Sequence, residues 1–239
     1  MPPPRNLARR QALTDAAIEI LGTAGIHELS HRAVDRRAGV PAGTASNYFR
    51  SRDELLAAAA RRVLELHVQD MHAAEGAPDG VADGAPGSAS DNASGSASGS
   101  ASDLDGAPRE PLDQDRLAQM IGLSLYDSAT RRRTRFLASY ELTLEATRRP
   151  ALAEAMAQVA AASQDATLGF HRALGLRTTP QQARAMITLF GGVLLTLVTV
   201  PAETLTPDSA VNLGRCIVAG ALAAQPAQRD APQGAGTGQ

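Results

Sequence analysis

Apolar residues recur at helical spacing along most of the chain, and glycine, proline and capping residues mark the breaks. From Leu7 to Gly22, Leu13, Ala17, Ile20 and Leu21 can share one face, and Gly22 and Gly25 end the pattern. Ser30 can cap a second helix through its hydroxyl. That helix stops at Gly39, where a residue without a Cβ turns the chain at little steric cost. Pro41 follows in the first turn of a third short helix, where its missing N–H removes no helical bond. Ser51 and Glu54 form an S-x-x-E capping box, and Leu55, Leu56, Ala59, Val63 and Leu66 carry a fourth helix to about Met71.

From Ala73 to Leu112 the period is lost. The run is Gly/Ala/Ser repetition with acids and prolines, and nothing in it can bury enough apolar surface to offset chain entropy. A disordered acidic linker is the expectation over 73–112. Order resumes near Asp113, with Leu117, Met120, Ile121 and Ser124 on a helix to about Ala129. The next helix, from about Arg131 to Arg148, has Phe136, Leu137, Tyr140 and Leu144 on one face. Pro150 suits the first turn of another that reaches about Leu174. Thr179 and Gln182 make a further capping box around Pro180. The helix they open holds the most apolar stretch, Ala185 to Ala202, nearly long enough to cross a bilayer. Thr188, Thr196, Thr199 and the Gly191–Gly192 pair, with no second such stretch, favour instead an interface helix of a soluble dimer, with Leu194 and Leu197 in the contact. Thr206, Pro207 and Asp208 start a last helix with Val211, Leu213, Ile217, Val218 and Leu222, and a disordered tail is expected over 225–239.

Two short helices joined at a glycine form a helix-turn-helix, whose second helix lies in the major groove of DNA. The chemistry of His31 to Phe49 suits that use. Ala42, Gly43 and Ala45 are small enough for close approach, and Thr44, Ser46, Asn47 and Tyr48 carry hydroxyls and an amide that bond phosphates and bases. The stretch from Ser30 to Leu56, SHRAVDRRAGVPAGTASNYFRSRDELL, resembles the TetR family of bacterial transcription regulators. The family frame of A-G-V, then G-T, then Y-F and a basic residue is intact, with Asp35 where Ala is usual and Ala45 and Ser46 where Leu and Tyr are usual.

That resemblance implies an all-α fold: a three-helix head over 1–52, a connecting helix over 53–72, and a ligand-binding and dimerisation bundle over 113–224. It implies that His31 and Arg32 reach DNA from the flank, with the capping Ser30 counted among the DNA-binding residues beside them. Thr44, Tyr48 and Arg52 would then hold phosphates, while Arg32, Ala42, Gly43, Ser46 and Asn47 face the base edges. It also implies that the last two helices pack against their twins in a homodimer.

Composition adds little except in its distribution. The chain has 239 residues, 44% of them hydrophobic, and a formal net charge of −2. Residues 1–52 hold eight arginines against four acids, a net +4, whereas residues 73–112 hold seven acids against Arg109 alone, a net −6. A basic head before an acidic stretch points to a nucleic-acid partner for the head only. Every one of the 23 basic residues is arginine, which fits a GC-rich coding sequence. Cys216 is the only cysteine, so no internal disulfide forms, and a reducing cytoplasm is expected. The N-terminus has no apolar core of a signal peptide.

These readings converge on a ligand-responsive repressor that binds a palindromic double-stranded DNA operator as a homodimer, with no membrane, metal or cofactor. Phe136, Tyr140, Glu141, Phe170, His171 and Phe190 are candidates to contact a small-molecule effector, Glu141 only if it faces inward. His67 and His72 lie five apart, off a common helix face, and make a poor metal pair. The run Arg131, Arg132, Arg133, Arg135 reads as a solvated helix start rather than a second DNA patch. The alternatives are a DNA-binding protein without a ligand and an all-helical enzyme. The second lacks a phosphate-binding glycine loop, a metal cluster and a nucleophile with its base.

Overall fold

The computed structural model describes residues 4–75 and 113–223, so the expected linker beyond Glu75 and the whole expected tail fall outside the described residues. Within them every regular element is a helix. The first group is α1 (Pro4–Ala24), a 3-10 turn (Ile26–Glu28), α2 (His31–Arg37), α3 (Thr44–Tyr48) and α4 (Arg52–Glu75). The second is α5 (Gln114–Ala129), α6 (Arg133–Ala146), α7 (Pro150–Ala173), α8 (Pro180–Thr199), a 3-10 turn (Ala202–Thr204) and α9 (Pro207–Leu222). The fourth helix thus runs on to Glu75, past both the Met71 end and the 73 start assigned to the linker.

The starts follow local chemistry. Ser30 caps α2 by accepting the Ala33 amide at 3.1 Å, and Ser51 accepts the Glu54 amide at 3.1 Å. Glu54 reaches back to the Arg50 amide at 2.7 Å, one residue earlier than a capping box requires. Thr179 and Gln182 form the complete box, and so do Thr206 and Ser209, a serine in place of the usual Glu or Gln. Pro150, Pro180 and Pro207 each open a helix.

Two apolar clusters hold the chain together. One centres on the head, with Leu13, Leu21, Leu29, Val34, Phe49, Leu55 and Leu56 all sealed from solvent. This cluster does not stop at the head: Ala138 and Leu142 of α6 and Leu152 of α7 belong to it. The other joins α5, α8 and α9 through Leu117, Leu125, Met186, Leu194, Ile217 and Val218, with Phe136, Leu137 and Tyr140 of α6 packed against it. Helix α6 therefore serves both clusters from two faces. Leu144, expected on the face of Phe136 and Tyr140, is 61% exposed in the last turn, and Leu142 takes the buried place.

Glycines permit two close helix crossings. A Cβ on Gly22 of α1 would lie 1.9 Å from the Thr134 carbonyl oxygen of α6, so these backbones touch. A Cβ on Gly122 of α5 would meet Val211 Cα of α9 at 2.4 Å, and one on Gly214 would meet the Ala118 carbonyl oxygen at 2.2 Å. Of the arginine run before and within α6, Arg131 is solvated at 71% exposed, as expected, but the other three are engaged. Arg132 pairs with Asp70 and Asp127, Arg135 pairs with Asp70, and Arg133 donates to the Val200 carbonyl at 3.0 Å. These contacts tie α4, α5, α6 and the end of α8 together.

Candidate nucleic-acid interface

The helix-turn-helix is built by two left-handed glycines. Gly39 (φ 63°) turns the chain after α2, and Gly43 (φ 90°) precedes α3. Neither position crowds a Cβ, so the backbone angle alone demands glycine. Downstream of the turn Ala42, Gly43, Ser46 and Asn47 are exposed, beside exposed Ser30 and Arg32. Thr44 and Tyr48 are half-buried. Thr44 Oγ1 donates to the Pro41 carbonyl at 2.6 Å and Ser46 Oγ to the Gly43 carbonyl at 2.9 Å. Ser46 and Asn47, the exposed side chains of α3, are polar and short, which suits a helix lying deep in a groove.

Other residues on or near this surface face inward. Ala45 is fully buried and faces the head core, so it does not help close approach to DNA as expected from its size. His31 is half-buried, with Nε2 2.7 Å from the Phe49 carbonyl oxygen; a carbonyl only accepts, so the ring donates there. Arg52 turns its guanidinium to the 3-10 turn, where Nη1 and Nη2 donate to the carbonyls of Leu29 and Ile26. In this arrangement Arg52 braces the loop ahead of α2 and does not extend toward a phosphate. Arg10 stacks over the Phe49 ring at 4.7 Å, and Arg37 pairs with Glu19.

Asp35 is the residue whose role composition and spacing do not show. It is 3% exposed, and its carboxylate accepts the amides of Gly43 and Ala45 at 2.7 and 2.6 Å. The usual alanine at this position could do neither.

The six effector candidates separate in space. Phe136, Tyr140 and Phe190 pack against the α5/α8/α9 cluster, and the Tyr140 hydroxyl donates to the Gly191 carbonyl at 2.6 Å. Burial pushes the Tyr140 phenol up to about 12. Phe170 and His171 lie at the end of α7, where His171 Nδ1 is 2.9 Å from Thr178 Oγ1. Glu141 faces the other way altogether: its Oε2 accepts the Ile26 amide at 3.1 Å, at the junction with the head. The inward orientation on which its candidacy depended is absent. Two open clefts border none of the six. The larger, about 1020 Å³, lies between the starts of α5 and α9, and the smaller, about 300 Å³, lies among α1, α4 and α6.

One buried imidazole, His171, and one half-buried, His67, give a pH signature. Desolvation lowers His171, and desolvation together with nearby Arg135 lowers His67, which meets Phe136 edge-on. Between the ordinary value of about 6.5 and the lowered one, the unfolded chain binds more protons than the folded one. Stability is therefore greatest above that window and falls as pH drops through it. Melting curves between about pH 7.5 and 5.5 should show the fall, with a shallower slope in His171→Gln and in His67→Gln. Glu145, held below its ordinary value mainly by Arg149, titrates in a lower window and does not blur the comparison.

Known proteins match both halves of the chain. The family profile described as bacterial regulatory proteins, tetR family, matches residues 13–59, and the one described as tetracyclin repressor-like, C-terminal domain, matches residues 112–224. The HTH-type transcriptional regulator BetI of Escherichia coli (strain K12 / DH10B) is 35% identical over 75 residues, which are 31% of this chain and 38% of BetI. The BetI of Klebsiella pneumoniae (strain 342) is 33% identical over the same length, so the likeness spans well under half of these relatives. Among solved structures, the multidrug binding protein EbrR complexed with ethidium is 26% identical with a TM-score of 0.54, over 87% of this chain and 98% of that one. A TetR family member from Streptomyces coelicolor A3, SCO1917, is 29% identical with a TM-score of 0.54, over 87% and 97%. With both profiles in chain order and a helix-turn-helix of the matching register, the chain belongs to the TetR family of bacterial transcription regulators.

Proposed function

We propose that the protein is a cytoplasmic, homodimeric repressor that leaves a palindromic operator when a small molecule occupies its body. The observation that supports this most is the state of α8. It is the only described helix long and apolar enough to cross a membrane, yet just 22% of its apolar window is buried within the chain. Leu189 and Leu195 stand 39% and 46% exposed. A second subunit covering that face would place two recognition helices on one side of a duplex, about one helical turn apart.

The effector reading rests on the aromatic set Phe136, Tyr140 and Phe190 beside the second cluster and on the likeness to EbrR, structures of which contain ethidium and proflavin. Binding that favours a dimer with wrongly spaced heads shifts the population away from DNA. Contacts for that shift are present: Glu141 of α6 holds Ile26 of the head, and Arg149, at the start of α7, pairs with Asp53 at 2.9 Å.

DNA sequences enriched from a random duplex pool test the reading. Affinity for them should fall steeply with salt through counterion release. Tyr48→Ala should weaken all duplexes alike, whereas Asn47→Ala should also alter base preference by about tenfold at one position. Equal losses with unchanged preference in both variants would remove base reading from Asn47.

A further inference from the structure

Asp35 is a buried carboxylate whose bonds leave its own helix. From α2 its Oδ2 accepts the Gly43 amide and its Oδ1 the Ala45 amide, while its backbone carbonyl accepts the Val40 amide at 3.0 Å. One residue thus holds the turn and the start of α3 at three points. The helix it holds has only five residues, too few to persist on their own backbone bonds. Its N-cap is Gly43, which has no side chain to satisfy the first amides. A carboxylate supplied from α2 fills that role, and its charge suits the positive end of the helix.

We propose that Asp35 is the positioning residue that fixes the pose of α3 in the groove, and so sets how sharply the protein discriminates between DNA sequences. The inference rests on the DNA-binding reading of the head. Ser46 and Asn47, the exposed side chains of α3, lie one and two residues beyond the amide that Asp35 grips. Base readout needs bidentate geometry, so a shift of this short helix removes discrimination before it removes binding. The sequence-independent part of affinity comes from cations against phosphates, and exposed Arg32, Arg36 and Arg50 do not depend on the Asp35 carboxylate. The two kinds of affinity should therefore separate.

Asp35→Asn tests this with little change of shape, because it sets an NH₂ donor against an amide donor at one of the two contacts. Anisotropy titrations would compare the duplex enriched by the unmodified protein with a scrambled duplex at one salt concentration. The expected result is a loss of about tenfold or more on the enriched duplex and less than about twofold on the scrambled one, with helicity retained. Parallel losses on both duplexes, or an unchanged ratio, would overturn the assignment. Amide hydrogen exchange in the unmodified protein covers the case in which the variant does not fold. Gly43 and Ala45 should exchange far more slowly than exposed Ala42, and unprotected exchange at either would also overturn it. If the unmodified protein enriches no sequence, the DNA-binding reading itself fails, an outcome distinct from an unchanged ratio.

Discussion

Leu195→Arg should give a folded monomer, and Leu194→Arg, one residue earlier, a chain that no longer folds stably. Leu194 is 1% exposed inside the α5/α8/α9 cluster, whereas Leu195, about 100° further round α8, is 46% exposed. An arginine at 194 removes a packed leucine and leaves an unpaired charge in an apolar core, a loss of about 3–5 kcal/mol or more. At 195 the same charge meets water in one subunit and meets a partner's apolar surface only in the dimer. Light scattering and circular dichroism separate these outcomes. A monomeric unmodified protein, or a Leu195→Arg variant that stays dimeric, would remove the proposed α8 interface.

The second large effect belongs to Gly22. Its Cβ would sit 1.9 Å from the Thr134 carbonyl oxygen and 2.7 Å from the carbonyl carbon, so Gly22→Ala must push α1 off α6. Overpacking against backbone costs about 1–3 kcal/mol. Gly169→Ala is the contrasting case. That glycine lies exposed within α7 with no atom within 4 Å of an added Cβ, so alanine should stabilise by about 0.5–1 kcal/mol. Urea unfolding would report both signs through the midpoint, provided the slope is unchanged. A Gly22→Ala midpoint equal to that of the unmodified chain would mean that α1 and α6 do not touch.

What could be read from sequence was what depends on neighbours along the chain. Helix starts at Ser30, Thr179 and Thr206 need only a cap, joined at the last two by a proline, and the turn at Gly39 needs only a left-handed backbone. The surface of α3 followed from the register of a short, specific motif. Bonds between distant residues were not legible. Asp35 looked like a departure from a small residue, because nothing local shows that its oxygens reach Gly43 and Ala45. Arg52 read as a phosphate contact, because its reach to the carbonyls of Leu29 and Ile26 spans residues far apart in sequence. Helix α6 defeats single-stripe reasoning for a different cause. Ala138 and Leu142 serve one cluster while Phe136, Leu137 and Tyr140 serve the other, so Leu144 was placed on the wrong face. On α8, apolar residues cover more than one side, so Leu194 was placed in the dimer contact although it is sealed within its own chain and Leu197 packs against the same cluster.

The α6 contacts bear on how such regulators could be recombined. A chimaera cut between α4 and α5 would transplant a head stripped of Ala138, Leu142 and Leu152, which complete its apolar cluster. It would also lose the Glu141 acceptor for Ile26 and the Arg149 partner of Asp53. The transplanted Gly22 would then face a foreign α6 whose backbone need not come as near. Exchange of DNA specificity between relatives should therefore succeed more often by grafting α2, the turn and α3 with Asp35 than by swapping everything before the body. Where a whole head must move, α6 and the first turn of α7 belong with it, so the unit of exchange is discontinuous in sequence.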